Sequence, residues 1–152
     1  MATTPQHTFV RHEWDRFQMG IAGATAINQG DNVFAGADGR ALPMSAASAL
    51  QYAGVAEDTN PVTSLLDQLS EITVVRRGTF RFKTTVGDVY DPGEAVYGGA
   101  DAQTVTVTSS GATKVGYVSP NQAGNPNALP ITGAAGVSID VIIEPQWPAT
   151  TV

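Results

Sequence analysis

The chain contains no cysteine and only two histidines among its 152 residues, and both scarcities exclude kinds of chemistry. Without cysteine there is no disulfide bond and no thiolate metal site, and the redox compartment stays undetermined. His12-Glu13 begins like a zinc-protease motif, but Arg16 stands where the second histidine ligand is needed. His7 lies five residues before His12, which is a poor spacing for a metal site. The sequence therefore predicts no metal cofactor.

Charged residues are also scarce. They make up 14% of the chain and give a net charge of −6, whereas ordinary soluble domains contain about 25%. Nucleic-acid binding requires a basic patch, and the only cluster of bases has the spacing of the polar face of a strand: Arg76, Arg77, Arg81 and Lys83. We expect no nucleic-acid partner. Sparse charge gives little repulsion between neighbouring copies, so the composition favours a protein that functions as part of a larger assembly.

Long apolar runs are absent too. No run approaches the roughly 18 residues that a membrane-spanning helix needs. The first residues lack the basic and then apolar pattern of a secretory signal. The sequence predicts a soluble protein with no membrane partner and no Sec export.

Catalytic motifs are missing as well. There is no G-x-S-x-G elbow, no phosphate-binding P-loop and no dinucleotide fingerprint. Asp31 and Glu94 each follow a glycine at the start of a short pattern that occurs twice in the chain. If they were the two catalytic carboxylates of a glycosidase, they would have to lie about 5 to 10 Å apart. An acid that follows glycine more often caps the backbone of a turn, and we prefer that interpretation. The sequence predicts no enzyme, no cofactor and no small-molecule substrate.

One pattern occurs twice. Residues 30–38, GDNVFAGAD, recur as residues 93–101, GEAVYGGAD, an offset of 63. Gly54 follows the first copy by 24 residues, and Gly116 follows the second by 23. A period this long indicates one supersecondary unit used twice. With 16 glycines and nine prolines to make turns, we predict a mainly β protein: one small closed barrel built from two similar halves.

Two segments alternate between apolar and polar residues, which predicts strands with one buried and one solvated face. In the first, Phe80 and Phe82 alternate with Thr79, Arg81 and Lys83. In the second, the buried side holds Val137, Ile139, Val141 and Ile143, and the solvated side holds Ser138, Asp140, Ile142 and Glu144. Asp38-Gly39 is typical of a tight hairpin turn.

Other segments have their own patterns. Apolar residues at helical spacing after Asn60 and Pro61 predict one short helix over 61–70. Residues 119–136 are rich in Pro, Asn and Gly and predict a long loop. Aromatic residues and mixed charge set the N-terminal segment apart. We divide the chain into an N-terminal arm at 1–20, a barrel at 21–145 and an extended tail at 146–152.

The order and spacing of several short steps resemble those of the capsid decoration (cement) proteins of tailed phages. The resemblance covers about residues 22–144. The steps that carry it are Ala26-Ile27-Asn28-Gln29-Gly30-Asp31 with Val33-Phe34, Gly54-Val55-Ala56, Arg77-Gly78-Thr79-Phe80, Pro92-Gly93-Glu94 with Val96-Tyr97, and Val115-Gly116-Tyr117-Val118.

The resemblance implies a small β-barrel or β-tulip-like domain without catalysis or cofactor. Such a domain binds the outside of an icosahedral head, between major capsid subunits, often as a homotrimer. The expected partners are therefore the major capsid protein and other copies of the chain. The expected location is the outer capsid surface of the virion, after synthesis in the host cytoplasm.

Two segments are candidates for the contacts with other chains. In the arm, Phe9, Val10, Trp14 and Phe17 are candidate anchors, because aromatic residues dominate binding hot spots. They could instead fill the end of their own barrel. In the long loop the candidates are Asn125, Asn127 and Leu129. Two other functions stay open, a carbohydrate-binding module on the virion surface and a tail or baseplate component, and an enzyme is a more distant third.

Overall fold

The computed structural model describes residues 16–21, 25–43, 51–60, 71–109, 112–122, 124–125 and 128–146. These ranges contain strands and connecting turns, and no helix. The strands are β1 (Arg16–Gly20), β2 (Asn32–Ala35), β3 (Ala41–Pro43), β4 (Gln51–Ala56), β5 (Glu71–Val75), β6 (Thr79–Thr84), β7 (Val89–Tyr90), β8 (Ala95–Gly98), β9 (Thr104–Thr106), β10 (Lys114–Val118), β11 (Ile131–Thr132) and β12 (Ser138–Ile143). The predicted helix at 61–70, the first 15 residues of the predicted arm and the tail after residue 146 lie outside the described residues.

The prediction of a mainly β protein with a closed barrel is confirmed. Five strands close the barrel in the order β10-β12-β6-β9-β8, and β6 and β9 are parallel. All five come from residues 79–143. Strands β1 to β5 form a separate five-stranded sheet in the order β1-β5-β4-β2-β3, so the barrel takes no strand from the first half of the chain.

The barrel is filled by one face of each strand. On β6, Phe80 and Phe82 point inward while Thr79, Arg81 and Lys83 are exposed, which is the predicted alternation. On β12 the buried apolar side chains are Ile139, Val141 and Ile143, also as predicted. The inner faces of β6 and β12 therefore meet in the barrel core.

Asp140 on β12 is only 7% exposed, although its place in the alternation predicts a solvated side chain. Arg81 donates to both of its carboxylate oxygens, at 2.7 and 3.1 Å. The backbone of Asp140 donates to Gln122 Oε1 at 2.8 Å and accepts from Gln122 Nε2 at 2.9 Å. The segment after β10 therefore covers Asp140 and attaches itself to the outside of the barrel.

In the sheet of β1 to β5, strands β2 and β4 are buried on both faces. One face contributes Phe34, Tyr52 and Val55 to the same apolar cluster as the barrel interior. The opposite face forms a second cluster, whose members are Met19, Ile21, Ile27, Val33, Ala35, Ala41, Ala53, Ala56, Ile72 and Val74. Because the first cluster contains side chains from both sheets, the sheet and the barrel share a core.

Strand β1 occupies residues that the sequence assigned to the N-terminal arm. It pairs with β5 along its whole length, from Arg16 opposite Val75 to Gly20 opposite Glu71. Phe17 is half-buried against the second apolar cluster, and the Arg76 guanidinium lies 5.6 Å from its ring centroid. Residues 16–20 are thus part of the sheet, and the arm hypothesis now concerns residues 1–15 alone.

Candidate functional site

The two copies of the sequence repeat form the same turn before a strand. Asp31 Oδ2 accepts from the backbone N of Asn28 at 2.9 Å, and Glu94 Oε1 accepts from the backbone N of Asp91 at 3.1 Å. The glycine before each acid, Gly30 or Gly93, has φ of 92° or 76°, in the left-handed region that favours glycine. The prediction that these carboxylates cap turns is confirmed.

Removing the two caps should have unequal effects. Asp31 is 5% exposed and also accepts from Gln103 Nε2 at 2.9 Å, whereas Glu94 is only partly buried. We expect Asp31→Ala to lower the free energy of unfolding by about 2 kcal/mol and Glu94→Ala by less than about 1 kcal/mol. Urea unfolding measures both values. Equal losses would contradict this account of the two turns.

A solvent-facing surface on the barrel carries two tyrosines and an isoleucine. We call it the tyrosine face and define it as Tyr97 on β8, Lys114 and Tyr117 on β10, and Ile142 on β12. Ile142 is 44% exposed, and the other three are partly exposed. Tyrosine is enriched in binding hot spots, so this surface is suited to contact with another protein.

Polar contacts fix the geometry of the tyrosine face. Lys114 Nζ donates to Tyr117 Oη at 2.6 Å and lies 4.4 Å from the centroid of its ring. It also pairs with Glu144 Oε1 at 3.0 Å. These bonds to Tyr117 and Glu144 raise the pKa of Lys114 above its ordinary value. Because Lys114 is held on both sides, the Tyr117 ring is positioned before any partner binds, which reduces the entropy lost on binding.

A small polar cavity lies between the barrel and the turn at Gln29 and Gly30. Its volume is about 210 Å³, and its lining is Gln29, Gly30, Arg81, Phe82, Lys83, Gln103 and Ser138. This volume is below the roughly 300 Å³ at which ligand pockets begin. Arg81 on its wall already pairs with Asp140. We assign the cavity no ligand.

The β8–β9 turn beside this cavity contains a carboxylate with a perturbed pKa. Burial by itself raises the pKa of Asp101, but hydrogen bonds and a nearby charge outweigh burial and hold the pKa below its ordinary value. The donors are Gln103 N at 2.8 Å and Thr104 Oγ1 at 2.9 Å, and the charge is that of Lys83. The folded state therefore favours the ionised Asp101 carboxylate.

The ionisation of Asp101 should make stability depend on pH. A depressed folded-state pKa stabilises the fold above the unfolded-state value of 3.8, and this contribution is lost as the pH falls through the folded-state pKa. We expect the stability difference between wild type and Asp101→Asn to be constant near neutral pH and to shrink below 3.8. Urea unfolding at a series of pH values measures it. A difference that grows as the pH falls would contradict this assignment.

The structure describes three of the seven predicted interface residues. Phe17 packs within the first sheet, and Leu129 is half-buried against the barrel core. Asn125 Nδ2 donates to Ser138 O at 2.9 Å and to Gln122 Oε1 at 3.3 Å, so its side chain fixes the loop. Phe9, Val10, Trp14 and Asn127 lie outside the described residues. None of the three described residues belongs to the tyrosine face.

The sequence analysis did not select the tyrosine face. Tyr97 and Tyr117 belong to the short steps that carry the resemblance, and the alternation predicts that Ile142 lies on the solvated side of its strand. The signal was present, because all three stand at outward positions of strands with an apolar inner face. The sequence could not predict which of these residues are neighbours, because Tyr117 lies beside Ile142 only through the pairing of β10 with β12.

Two searches of the described residues for other kinds of site are negative. No group of three or more His, Cys, Asp or Glu side chains in them is arranged to hold a metal ion. In the same residues there is no helix that is long and apolar enough to cross a membrane. Comparison of the chain with models of protein families, with curated proteins and with solved structures finds no match.

Proposed function

We propose that this chain is a capsid decoration protein, which binds the major capsid protein on the outer surface of a phage head and stabilises the shell. The observation that carries the proposal is that the residues with the resemblance occupy matched places in the fold. Gly30-Asp31 and Gly93-Glu94 make the same turn, and Gly54 and Gly116 stand opposite Val33 and Val96 in matched strand pairs.

We infer in addition that the chain consists of two similar halves, β1–β5 and β6–β12. Strand order supports this inference. Without the additional pair β7 and β11, the second half has the order β6-β12-β10-β8-β9, which matches β1-β5-β4-β2-β3 position by position. The closure matches too, since β6 and β9 are parallel and Ile21 forms a parallel bridge to Ala41.

The register of pairing supports the same inference. Asn32 pairs with Val55 and Phe34 with Tyr52, with an irregularity between the two pairs. Ala95 pairs with Tyr117 and Tyr97 with Lys114, with an irregularity at the same place. A bulge in a matched position of both strand pairs is a specific feature, because bulges re-aim the side chains beyond them.

Stabilisation of a shell needs no chemistry beyond binding. A protein that binds the assembled shell and not its separate subunits shifts the equilibrium toward the shell. If several copies are joined, the first contact raises the effective concentration of the others and strengthens attachment further.

The test is to mix the purified protein with expanded and unexpanded phage heads, count the bound copies and measure the temperature at which the shell opens. We expect saturable binding to one form of the head and a higher opening temperature. Labelling of intact particles separates decoration of the head from a place in the tail or baseplate. Absence of binding to either form of the head would overturn the proposal.

A carbohydrate-binding module is the second candidate, and the half-exposed rings of Tyr97 and Tyr117 favour it. Sugar-binding sites often use such rings as flat apolar platforms. A glycan array with the wild type and Tyr117→Ala tests it. Binding of a glycan by the wild type and not by the variant would favour this candidate over decoration.

A further inference from the structure

The corresponding faces of the two halves differ in burial. In the first half, Phe34, Tyr52 and Val55 are buried in the core that the sheet shares with the barrel. By register, their counterparts in the second half are Tyr97, Lys114 and Tyr117. These counterparts are the tyrosine face, which is partly exposed. One half has thus covered this face by packing on the other, and the second half presents the same face to solvent.

The structure also shows how the first half is attached at the edge of its covered face. The backbone N of Asn32 donates to Ala102 O at 2.7 Å, and Gln103 Nε2 donates to Asp31 Oδ1 at 2.9 Å. Ala102 and Gln103 lie in the β8–β9 turn of the second half. An acid and its neighbour from one half are therefore held by a turn of the other half.

The first half has a matching turn between β2 and β3. Arg40 N donates to Asp38 Oδ1 at 3.0 Å, as Gln103 N does to Asp101 Oδ1 at 2.8 Å. By this contact and by the repeat offset of 63, Gly39 corresponds to Ala102, and Arg40 to Gln103. The β8–β9 turn is one residue longer after this point, because Gly36 N donates to Arg40 O at 2.9 Å whereas Gly99 N donates to Thr104 O at 2.8 Å. The Arg40 side chain is 58% exposed.

We propose that the tyrosine face is the binding site for a second copy of this chain. The β2–β3 turn of that copy contacts Glu94 and Ala95 in the same way that the β8–β9 turn contacts Asp31 and Asn32 within one chain. The contact between Gln103 and Asp31 within one chain then corresponds to a contact between Arg40 of one copy and Glu94 of the next. The two side chains carry opposite charges, so the contact between copies is electrostatically complementary. This proposal rests on the inferred two halves of the proposed decoration protein.

Such a contact is head-to-tail, because the first half of each copy binds the second half of the next copy. Head-to-tail contacts make a ring if the rotation between copies closes, and an open filament if it does not. A trimer of this kind would contain six similar halves around one axis. The proposal thus gives a physical route to the homotrimer that the resemblance implies.

The experiment measures self-association of the full chain by sedimentation over a wide concentration range. The variants are Arg40→Glu, Glu94→Arg and the double reversal Arg40→Glu/Glu94→Arg. Arg16→Glu is the matched control, because Arg16 is 62% exposed and paired with an acid, as Arg40 is, but lies at the start of β1, far along that strand from the Ile21–Ala41 bridge beside the β2–β3 turn. Circular dichroism melting of each variant establishes that it is folded.

We expect the wild type to associate and each single reversal to weaken association at least about tenfold, because like charges then face each other. The double reversal should restore association, and Arg16→Glu should leave it unchanged. A wild type that stays monomeric at every concentration would overturn the proposal, and so would single reversals that associate like the wild type. Binding to heads is measured separately. A monomer that still binds heads would refute the proposed contact between copies but not the proposed decoration function.

Discussion

Gly116→Ala is expected to destabilise the barrel strongly. Gly116 lies in β10 between Ile143 on β12 and Val96 on β8. A Cβ at this position would overlap the carbonyl O of Ile142 and come within 2.9 Å of Ile143 Cα. Both atoms belong to the backbone of the neighbouring strand and cannot move without opening the barrel. We expect a loss of about 3 kcal/mol or more, measured by urea unfolding and near-ultraviolet circular dichroism.

Gly20→Ala is the control for this prediction. Gly20 also lies in a strand, and a Cβ there has no atom within 4 Å. Its substitution should change the free energy of unfolding by less than about 0.5 kcal/mol. Gly54, the counterpart of Gly116, would place its Cβ on Val75 O and has φ of 142°, so Gly54→Ala should be as damaging. A stable Gly116→Ala protein would refute the close approach of β10 and β12.

Phe34→Ala is expected to lower the free energy of unfolding by about 3 to 5 kcal/mol. The Phe34 side chain is fully buried in the shared core, and its ring centroid lies 5.2 Å from that of Tyr52. Truncation leaves a cavity between the sheet and the barrel that the surrounding strands cannot close. Thermal or urea unfolding measures the loss.

Tyr97→Ala supplies the matched comparison, because Tyr97 holds the position in β8 that Phe34 holds in β2. Tyr97 is half-exposed, so its truncation should cost less than about 1.5 kcal/mol. If a second copy seats on the tyrosine face, Tyr97→Ala should also weaken self-association. Similar stability losses for the two variants would contradict the difference in burial between the two faces.

Much of the local structure could be predicted from the sequence. The alternation of Phe80 and Phe82 with polar residues identified β6 and its buried face, and Asp38-Gly39 marked the turn between β2 and β3. The repeat at Gly30 and Gly93 located two equal turns and assigned their acids a capping role. These features depend on a few neighbouring residues, so a short stretch of sequence determines them.

What the sequence did not predict depends on contacts between distant residues. Period-two alternation tells which side of a strand is apolar, but it does not tell which sheet the strand joins. The single barrel of two halves was expected for that reason, whereas β6 closes onto β9 within the second half. Asp140 is buried because Arg81 and Gln122, 59 and 18 residues away, cover it. The partners of the tyrosine face likewise meet only after β10 and β12 pair.

The position of the first and last strands in each sheet has a consequence for engineering. Arg16, where β1 starts, lies opposite Val75, where β5 ends. Thr79, at the start of β6, lies opposite Ile142 near the end of β12. Entry and exit are therefore side by side in both sheets, and three residues, 76–78, are enough to connect β5 to β6. A foreign domain could be inserted between residues 75 and 79 without its connections crossing either sheet.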